Sequence, residues 1–213
     1  MKEFKSKYAN PFEGLTEDKF QGKCAEIAND LFNNYCIKCN EKEFYFAEIE
    51  FYYFQDDVWN QDWNQATYPR NFEGKGGQLF YHLSGVDVCF DGNLKRENGV
   101  LSGKGGGILI RSIVDSSNKT LIIGPLTCAN TLLNTCDGKY MPSIQSLTLK
   151  EKRQVNPIQT YRFFGNDDFS KIGNGTNRDE KLKLAFYDNT IDATVWNKVR
   201  SKYYEKRLKI CQQ

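Results

Sequence analysis

The stretch Ala47-Glu48-Ile49-Glu50-Phe51-Tyr52-Tyr53 decides how the chain folds. It lies in a segment, residues 43–54, that is dense in β-branched and aromatic residues and therefore predicts a strand. Strand side chains alternate between two faces, so Glu48, Glu50 and Tyr52 share one face and the other face is apolar and aromatic. Two carboxylates thus point the same way in a segment that looks buried, where an unpaired carboxylate is costly.

The chain as a whole has 213 residues, of which 39% are hydrophobic and 14% aromatic. This length supports one sizeable core and is small for two, so we expect a single domain over residues 1–213. No apolar run is long enough for a membrane helix, and the N-terminus lacks the apolar segment of a secretory signal. We therefore expect a cytoplasmic monomer with no membrane partner, in which residues 1–15 are an N-terminal extension.

Seven cysteines are spread along the chain without regular spacing, and His82 is the only histidine. Cys36 and Cys39 form a lone C-x-x-C, whereas a structural zinc site would need a second pair of ligands. We expect reduced thiols, no metal and no cofactor.

The charge of the chain is nearly balanced, at +2, and by itself does not indicate a nucleic-acid partner. Basic residues are concentrated near the end, where residues 196–210 predict a basic amphipathic helix. In isolation, a solvated helical face is the commoner explanation of such a segment. A phosphate-binding face is the alternative, and it would use Lys198, Arg200 and Lys202.

The rest of the chain predicts helices around an antiparallel sheet. Residues 16–33 begin with a Thr16 N-cap and have helical spacing, and residues 126–134 form a second helix. Further strands are predicted at 78–83, 86–90, 107–113, 119–123, 161–164 and 183–187. Residues 55–77 are too long for a turn and predict a functional loop. We assign the chain to the α+β class, a mostly antiparallel, curved, barrel-like sheet with surrounding helices.

Five motifs follow one another in an order that is typical of one enzyme family. The stretch AEIEFYY is similar to that family's strand Glu-Thr-Glu-Ala-Tyr, and Tyr68-Pro69-Arg70-Asn71 to its Thr-Pro-Arg-Asn. Residues 77–90 are similar to its strand pair Gly-x-Leu-Tyr-Val-Tyr-x-x-Tyr-Gly-x-x-x-Cys, short by one residue. Ile108-Leu109-Ile110-Arg111 resembles Val-Leu-Leu-Arg, and Gly124-Pro125 resembles a Gly-Pro before a helix. Through this collinear order, over about residues 24–134, the chain resembles the alkyladenine (3-methyladenine) DNA glycosylase family.

The resemblance implies an enzyme that flips a base out of duplex DNA and hydrolyses its N-glycosidic bond, leaving an abasic site. It implies that Glu50 is the catalytic carboxylate that activates water, and that Tyr52 and Tyr81 stack on the flipped base. A carboxylate at the floor of an apolar pocket suits this chemistry, because isolation from water raises the pKa of a carboxyl group. The implied DNA contacts are Arg70, Asn71 and Arg111, the last also as a buried support of the pocket.

Other interpretations of these residues remain open from the sequence. Glu48 is either a structural companion of Glu50 or paired with a base such as Arg111. Both glutamates could instead face water on a half-exposed strand, which is the commoner state of a strand glutamate. Tyr52 and Tyr81 could be core tyrosines, and Arg111 could belong to a structural ion pair.

Three positions depart from the family's pattern. The family's His falls on Gln61, its intercalating Tyr on Ser84 with His82 close by, and its guanine-excluding Asn on Asp91. We expect Gln61, His82 and Asp91 in the base pocket and Ser84 against DNA. The missing wedge would be replaced by an aromatic residue of the long loop, namely Trp59, Trp63 or Tyr68.

These patterns lead to one function and two alternatives. The function is a monofunctional DNA glycosylase whose partner is double-stranded DNA with a damaged or modified base. Its target is an alkylated or deaminated purine or a modified base, such as those of phage DNA. The alternatives are a non-catalytic nucleic-acid-binding module of the same fold, and an unrelated fold whose motifs match by chance.

Overall fold

The structure is a computed structural model that describes residues 2–55, 59–60, 76–98, 100–137, 140–160, 185–196 and 198. Its helices are α1 (Lys2–Tyr8), α2 (Glu17–Asn34) and α3 (Pro125–Thr135). Its strands are β1 (Tyr35–Cys39), β2 (Lys42–Gln55), β3 (Trp59–Asn60), β4 (Leu79–His82), β5 (Gly85–Cys89), β6 (Lys95–Glu97), β7 (Val100–Ser102), β8 (Lys104–Asp115), β9 (Leu121–Ile123), β10 (Ser143–Ser146), β11 (Ile158–Thr160) and β12 (Ala185–Tyr187).

One curled antiparallel sheet, a half-barrel, organises the described part of the chain. Its strand order is β10-β1-β2-β8-β5-β4, with β12 and β3 also paired to β2, β9 paired to β8 and β11 paired to β12. Strands β6 and β7 form a separate hairpin. The predicted α+β class with a mostly antiparallel, curved, barrel-like sheet is confirmed.

The centre of this sheet is the long pair β2 and β8, which runs from Phe44 opposite Asp115 to Gln55 opposite Lys104. Its register is irregular near Glu48, and the alternation of core residues changes there. The core residues of β2 are Phe44 and Phe46 before this point and Ile49, Phe51 and Tyr53 after it. On β8 the core residues are Ile108 and Ile110 before it and Ile113 after it. Residues Glu48 and Arg111 lie at this irregularity.

The main core lies on one face of the sheet, under α2 and α3. Helix α2 packs on β1 and β2, and α3 packs on β5, β8 and β9. The buried residues of α3 are Cys128, Ala129 and Leu132. The face of the sheet away from this core is called the outer face below. It is the face of Glu50 and Tyr52, because their neighbours Ile49, Phe51 and Tyr53 are in the core.

The N-terminal segment is an integral part of the core, which corrects the prediction of an extension over residues 1–15. Phe4, Tyr8 and Phe12 are all buried in the main cluster. The Phe12 ring lies 4.6 Å from the Phe20 ring and 4.8 Å from the Tyr53 ring, measured between centroids. These aromatic contacts tie the segment to α2 and β2.

Several predicted elements agree with the structure within a few residues. They are the helix after Thr16, the strand over residues 43–54, the strand pair β4 and β5, β8, β9, α3 and β12. The strand predicted at residues 161–164 and the helix at residues 196–210 lie outside the described residues, apart from residues 196 and 198. The elements that the sequence analysis missed are α1, β1, β3, β6, β7, β10 and β11.

The described cysteines are free thiols, and all of them are buried. The C-x-x-C pair lies on β1, where burial raises the pKa of Cys36 to about 12. Burial likewise raises the pKa of Cys128 on α3 to about 12. Within the described residues, no helix is long and apolar enough to cross a membrane.

Candidate active site

The outer face has a row of side chains that crosses four strands. Cross-strand pairing joins Glu50 of β2 to Leu109 of β8, Leu109 to Asp87 of β5, and Asp87 to Phe80 of β4. Directly opposed residues of neighbouring strands point to the same face, so all four side chains project together. Glu50 and Asp87 are buried, whereas Leu109 and Phe80 are half-buried. The row thus places an accessible apolar surface between two buried acids.

Arg111 of β8 contacts both glutamates of the opening stretch. Its Nη1 atom donates to Glu50 Oε2 at 3.2 Å, and its Nε atom lies 3.6 Å from Glu48 Oε1. The Ser112 hydroxyl donates a hydrogen bond to Glu48 Oε2 at 3.1 Å. The register irregularity at Glu48 is what lets one guanidinium reach both carboxylates, because it brings residues 111 and 112 together opposite Glu48.

Burial rules out one of the sequence-based interpretations of the glutamates. Glu48 is 4% exposed, Glu50 is 2% exposed and Arg111 is 7% exposed, so the interpretation of two glutamates facing water is wrong. Burial of a charged pair costs several kcal/mol, and a good geometry with further hydrogen bonds is needed to offset it. The low exposure also makes Arg111 a buried support of Glu50 rather than a surface contact for a phosphate group.

Tyr52 covers the sheet beside Glu50, and glycine on the facing strand makes room for it. Tyr52 pairs with Gly107 of β8. A Cβ atom on Gly107 would lie 2.4 Å from the Tyr52 hydroxyl oxygen and 2.7 Å from the carbonyl oxygen of Val88. Any side chain at residue 107 would therefore displace the Tyr52 ring. The glycines of the Lys104-Gly105-Gly106-Gly107 sequence thus have a packing role at this site.

His82 and Asp87 form a second acid and base pair on the outer face. The Nε2 atom of His82 lies 3.1 Å from Asp87 Oδ2, and Asp87 is fully buried. The His82 ring stacks on Phe80 with centroids 5.9 Å apart and an interplanar angle of 23°. On its other side, His82 Nδ1 lies 2.9 Å from Ser84 Oγ and 3.3 Å from the backbone nitrogen of Ser84. Strand β5 and the β4–β5 turn therefore fix the position of the ring.

The formal charges of these side chains leave an excess of negative charge. The carboxylates are Glu48, Glu50 and Asp87, and the cations are Arg111 and, when protonated, His82. Such an excess, held by buried groups with fixed positions, stabilises positive charge that develops on a bound molecule. Within the described residues, no cluster of three or more His, Cys, Asp or Glu side chains is arranged for a metal ion.

Tyr81 does not join Tyr52, although the resemblance implied that they flank a base together. Strand β4 turns Tyr81 to the core face, where it packs against the main cluster. Burial raises its pKa, and so do the nearby thiols of Cys39 and Cys136. The two tyrosines therefore lie on opposite faces of the sheet, and the aromatic neighbour of the site on β4 is Phe80.

The Asp91 side chain binds the backbone of a neighbouring segment and does not contact Glu50 in any hydrogen bond described below. Its Oδ1 atom accepts a hydrogen bond from the backbone N–H of Gly76, and its own backbone N–H donates to the carbonyl of Ala9 at 2.7 Å. It follows the end of β5 that is opposite to the turn after His82. In the structure Asp91 therefore anchors the N-terminal segment, and its base-pocket role stays a prediction.

The remaining predicted site residues lie at the surface or outside the described residues. Ser84 is exposed in the turn between β4 and β5, and Lys198 is exposed at the end of the described chain. The side chain of Trp59 is outside the described set, although its backbone pairs with β2. The predicted site residues that lie outside the described residues are Gln61, Trp63, Tyr68, Arg70, Asn71, Arg200 and Lys202.

Sequence reasoning did not single out Asp87, Leu109 or Phe80 of this site. Asp87 lies in the alternating stretch Val86-Asp87-Val88, where a lone acid between β-branched residues is a signal of a buried polar group. Leu109 and Phe80 are apolar residues of predicted strands, and nothing in the sequence distinguishes them from core residues.

Comparisons of the chain with models of known families, with curated proteins and with solved structures found no match.

Proposed function

We propose that this protein is a monofunctional DNA glycosylase, with double-stranded DNA carrying a damaged or modified base as its partner. The observation that supports the proposal most directly is the environment of Glu50. It is a buried carboxylate on the outer face, beside Tyr52 and oriented by Arg111. The motifs that resemble the alkyladenine DNA glycosylase family lead to the same residue independently.

In the proposed reaction, Glu50 accepts a proton from a water molecule while the water oxygen bonds to C1′ of the sugar. The bond between C1′ and the base breaks, and its electron pair leaves with the base. Arg111 holds Glu50 Oε2, so the carboxylate has a fixed orientation toward the reacting carbon. The sugar of the transition state resembles an oxocarbenium ion, and the excess of negative charge at the site stabilises it.

In this proposal Leu109 provides apolar contact for a flipped base, and Tyr52, which is 4% exposed and packs over Gly107, supports the sheet beside it. The Tyr52 ring lies next to Glu50 on β2, and Leu109 remains half-buried between the two acids. Stacking and apolar contact offset the cost of a few kcal/mol for taking a base out of the duplex. The target in this proposal is an alkylated or deaminated purine or a modified base such as those of phage DNA.

The test is base release from duplexes that each contain one modified base. The panel has 3-methyladenine, 7-methylguanine, hypoxanthine, 5-hydroxymethyluracil and 5-hydroxymethylcytosine, and abasic sites are revealed by alkaline cleavage. A Glu50→Gln variant should lose about 100-fold or more in the rate of release, because it keeps the shape but cannot accept the proton. Glu43→Gln, on the same strand but away from Arg111, is the matched control and should keep the wild-type rate.

The two alternatives give different outcomes in the same assay. A protein that binds one of these duplexes without forming abasic sites would be a binding module, and the enzyme proposal would be rejected. Phosphate contacts make DNA affinity fall steeply as the salt concentration rises. A protein of unrelated function would show no such salt-dependent binding to any of these duplexes. Equal rates for Glu50→Gln and the wild type would remove Glu50 from the mechanism.

A further inference from the structure

The central strand pair has one extra residue on each strand at the candidate site. Between Phe46 and Glu48 the register shifts by one residue, and Ala47 is the extra residue of β2. The next shift, directly after Glu48, makes Arg111 the extra residue of β8. The two shifts cancel, so the register is the same before and after this double bulge. Because Arg111 is itself a bulge residue, the geometry of the bulge determines where its guanidinium lies.

Two residues from outside β2 and β8 bind the backbone at the double bulge. The backbone N–H of Asp188, directly after β12, donates to the carbonyl oxygen of Ala47 at 2.8 Å. The Nη1 atom of Arg153 donates to the carbonyl oxygen of Phe46 at 3.2 Å. The same guanidinium donates through Nη2 to the carboxylate of Asp188. One ion pair thus binds the carbonyl groups of both residues that precede Glu48.

Asp188 is held in place on every side of its carboxylate and backbone. Its side chain is fully buried, and Oδ1 accepts hydrogen bonds from the backbone N–H of Thr190 at 2.8 Å and from the Thr190 hydroxyl at 2.6 Å. Its carbonyl oxygen accepts a hydrogen bond from Trp196 Nε1 at 3.0 Å. The strand before it, β12, pairs with β2 from Glu48 to Glu50. Asp188 is therefore a fixed point from which the double bulge is held.

Arg153 completes this arrangement from the other side. Its side chain is 16% exposed, and its guanidinium carbon lies 4.8 Å from the centroid of the Tyr45 ring. Loss of Arg153 would leave the Asp188 carboxylate buried without its cation, which is strongly destabilising. The ion pair has no net charge, so any effect that it has on Glu50 comes from the position of the backbone.

We propose that Arg153 and Asp188 are positioning residues for Glu50, because they fix the double bulge that places Arg111 between the two glutamates. This inference rests on the proposed glycosylase function and adds two residues that the substrate does not contact. Arg111 holds Glu50 through a hydrogen bond of 3.2 Å. A shift of the bulge would change that contact, and a misplacement of about 1 Å in a catalytic group can cost about 100-fold in rate.

The experiment uses the full chain and two variants. Arg153→Met removes the hydrogen-bond donors but leaves Asp188 as a buried charge, so this variant should lose stability. Arg153→Met combined with Asp188→Asn removes that charge as well and should recover most of the lost stability in urea unfolding. In this double variant the Phe46 carbonyl still lacks its donor. Lys42→Met is the control, because Lys42 is a half-exposed cation at the start of the same strand, 3.9 Å from Asp115.

The first measurement is the NMR signal of the Nε–H group of Arg111, which reports the position of this side chain without any substrate. Arg111→Lys removes the signal and so assigns it. In the wild type the group is buried, 3.6 Å from Glu48, and its proton should exchange slowly with water. In the double variant we expect a changed chemical shift and an exchange rate that is about tenfold higher or more. Lys42→Met should keep the wild-type signal.

The second measurement is single-turnover base release from the duplexes of the same panel. Both variants that lack Arg153 should lose about tenfold or more in the rate constant of release. Their affinity for the duplex should equal that of the wild type, because the ion pair contacts the backbone of β2 and not the substrate. A loss confined to the chemical step separates positioning from a loss of binding or of folded protein.

The failure of this inference differs from the failure of the proposed function. If the wild type releases no base of the panel, the glycosylase function is rejected, and the Arg111 signal alone decides whether the ion pair positions that side chain. An unchanged Arg111 signal in the folded double variant would reject the inference whatever the activity. A double variant that recovers the wild-type rate together with its stability would show that the pair only stabilises the fold, and the proposed function would stand.

Discussion

The Nη1 atom of Arg111 lies 3.2 Å from Glu50 Oε2, and neither side chain has appreciable contact with solvent. The same guanidinium lies 3.6 Å from Glu48. One cation therefore compensates two buried carboxylates across the central strand pair of the sheet. Loss of that cation should have a larger effect on the fold than loss of a cation at the surface.

An Arg111→Met variant tests this dependence. It leaves Glu48 and Glu50 buried without their guanidinium, and we expect the free energy of unfolding to fall by about 3–5 kcal/mol. Urea unfolding at neutral pH measures the change. Lys7→Met is the control, because Lys7 forms a half-exposed ion pair with Asp30. Loss of this pair should lower the free energy of unfolding by about 1 kcal/mol or less. Similar losses in the two variants would contradict the argument.

Gly107→Ala tests the packing of Tyr52. The added Cβ would lie 2.4 Å from the Tyr52 hydroxyl oxygen, so the ring must move or the strands must separate. We expect a loss of about 1–3 kcal/mol in stability. Gly22→Ala is the matched control, since nothing lies within 4 Å of its added Cβ in the middle of α2. There the substitution should stabilise the protein by about 0.5–1 kcal/mol.

The two glycine variants are compared by thermal or urea unfolding, and Gly107→Ala should also lower the rate of base release in the proposed reaction. A Gly107→Ala variant as stable as the wild type would show that Tyr52 can leave its position over β8 without cost. Tyr52 would then be a mobile side chain rather than a fixed wall of the site.

The central strand was predictable from sequence because its composition and alternation are both strong signals. Strand β2 extends one residue beyond the predicted range at each end, and Glu50 and Tyr52 share a face as expected. The irregularity at Glu48 was not predictable, because it depends on how β2 pairs with β8. For the same reason, the sequence could suggest Arg111 as a partner but could not show that it contacts both glutamates.

The pair of Asp87 and His82 could not be predicted, because it joins two strands through a contact that no local pattern encodes. The N-terminal helix was missed for another reason. The segment from Lys2 to Tyr8 is short and charged, and an isolated helix of this length is not stable in water. Its stability comes from packing of Phe4 and Tyr8 into the core. The spacing of four residues between Phe4, Tyr8 and Phe12 was the available signal.

Phe12→Ala tests whether the N-terminal segment belongs to the core. The Phe12 ring is fully buried against Phe20, Tyr53 and Phe90, and its removal leaves a cavity. We expect a loss of about 3–5 kcal/mol, measured by urea unfolding. Leu149→Ala is the control, because Leu149 is 86% exposed and should change stability by no more than about 0.5 kcal/mol. A Phe12→Ala variant of wild-type stability would restore the description of residues 1–15 as an extension.

The anchor of α1 should make stability depend on pH through Asp30. This carboxylate on α2 accepts hydrogen bonds from the Tyr8 hydroxyl, from Lys7 Nζ at 3.0 Å and from Asn34 Nδ2 at 2.7 Å. Burial raises the pKa of Asp30, but the hydrogen bonds from these three groups outweigh burial and hold the pKa below its ordinary value of 3.8. The charged form is therefore favoured in the folded state.

A group whose pKa is lowered by folding contributes stability above its unfolded pKa, and this contribution disappears as pH falls through the folded pKa. An Asp30→Asn variant should therefore be less stable than the wild type by an amount that is constant above about pH 5 and shrinks below about pH 4. Urea unfolding of both proteins over this range measures the difference. Asp192→Asn is the comparison, since the pKa of Asp192 is also lowered, by hydrogen bonds from Thr194, but this residue is exposed and its side-chain hydrogen bonds are local. A difference between Asp30→Asn and the wild type that persists undiminished at the lowest pH would show that the carboxylate's charge has no part in holding α1.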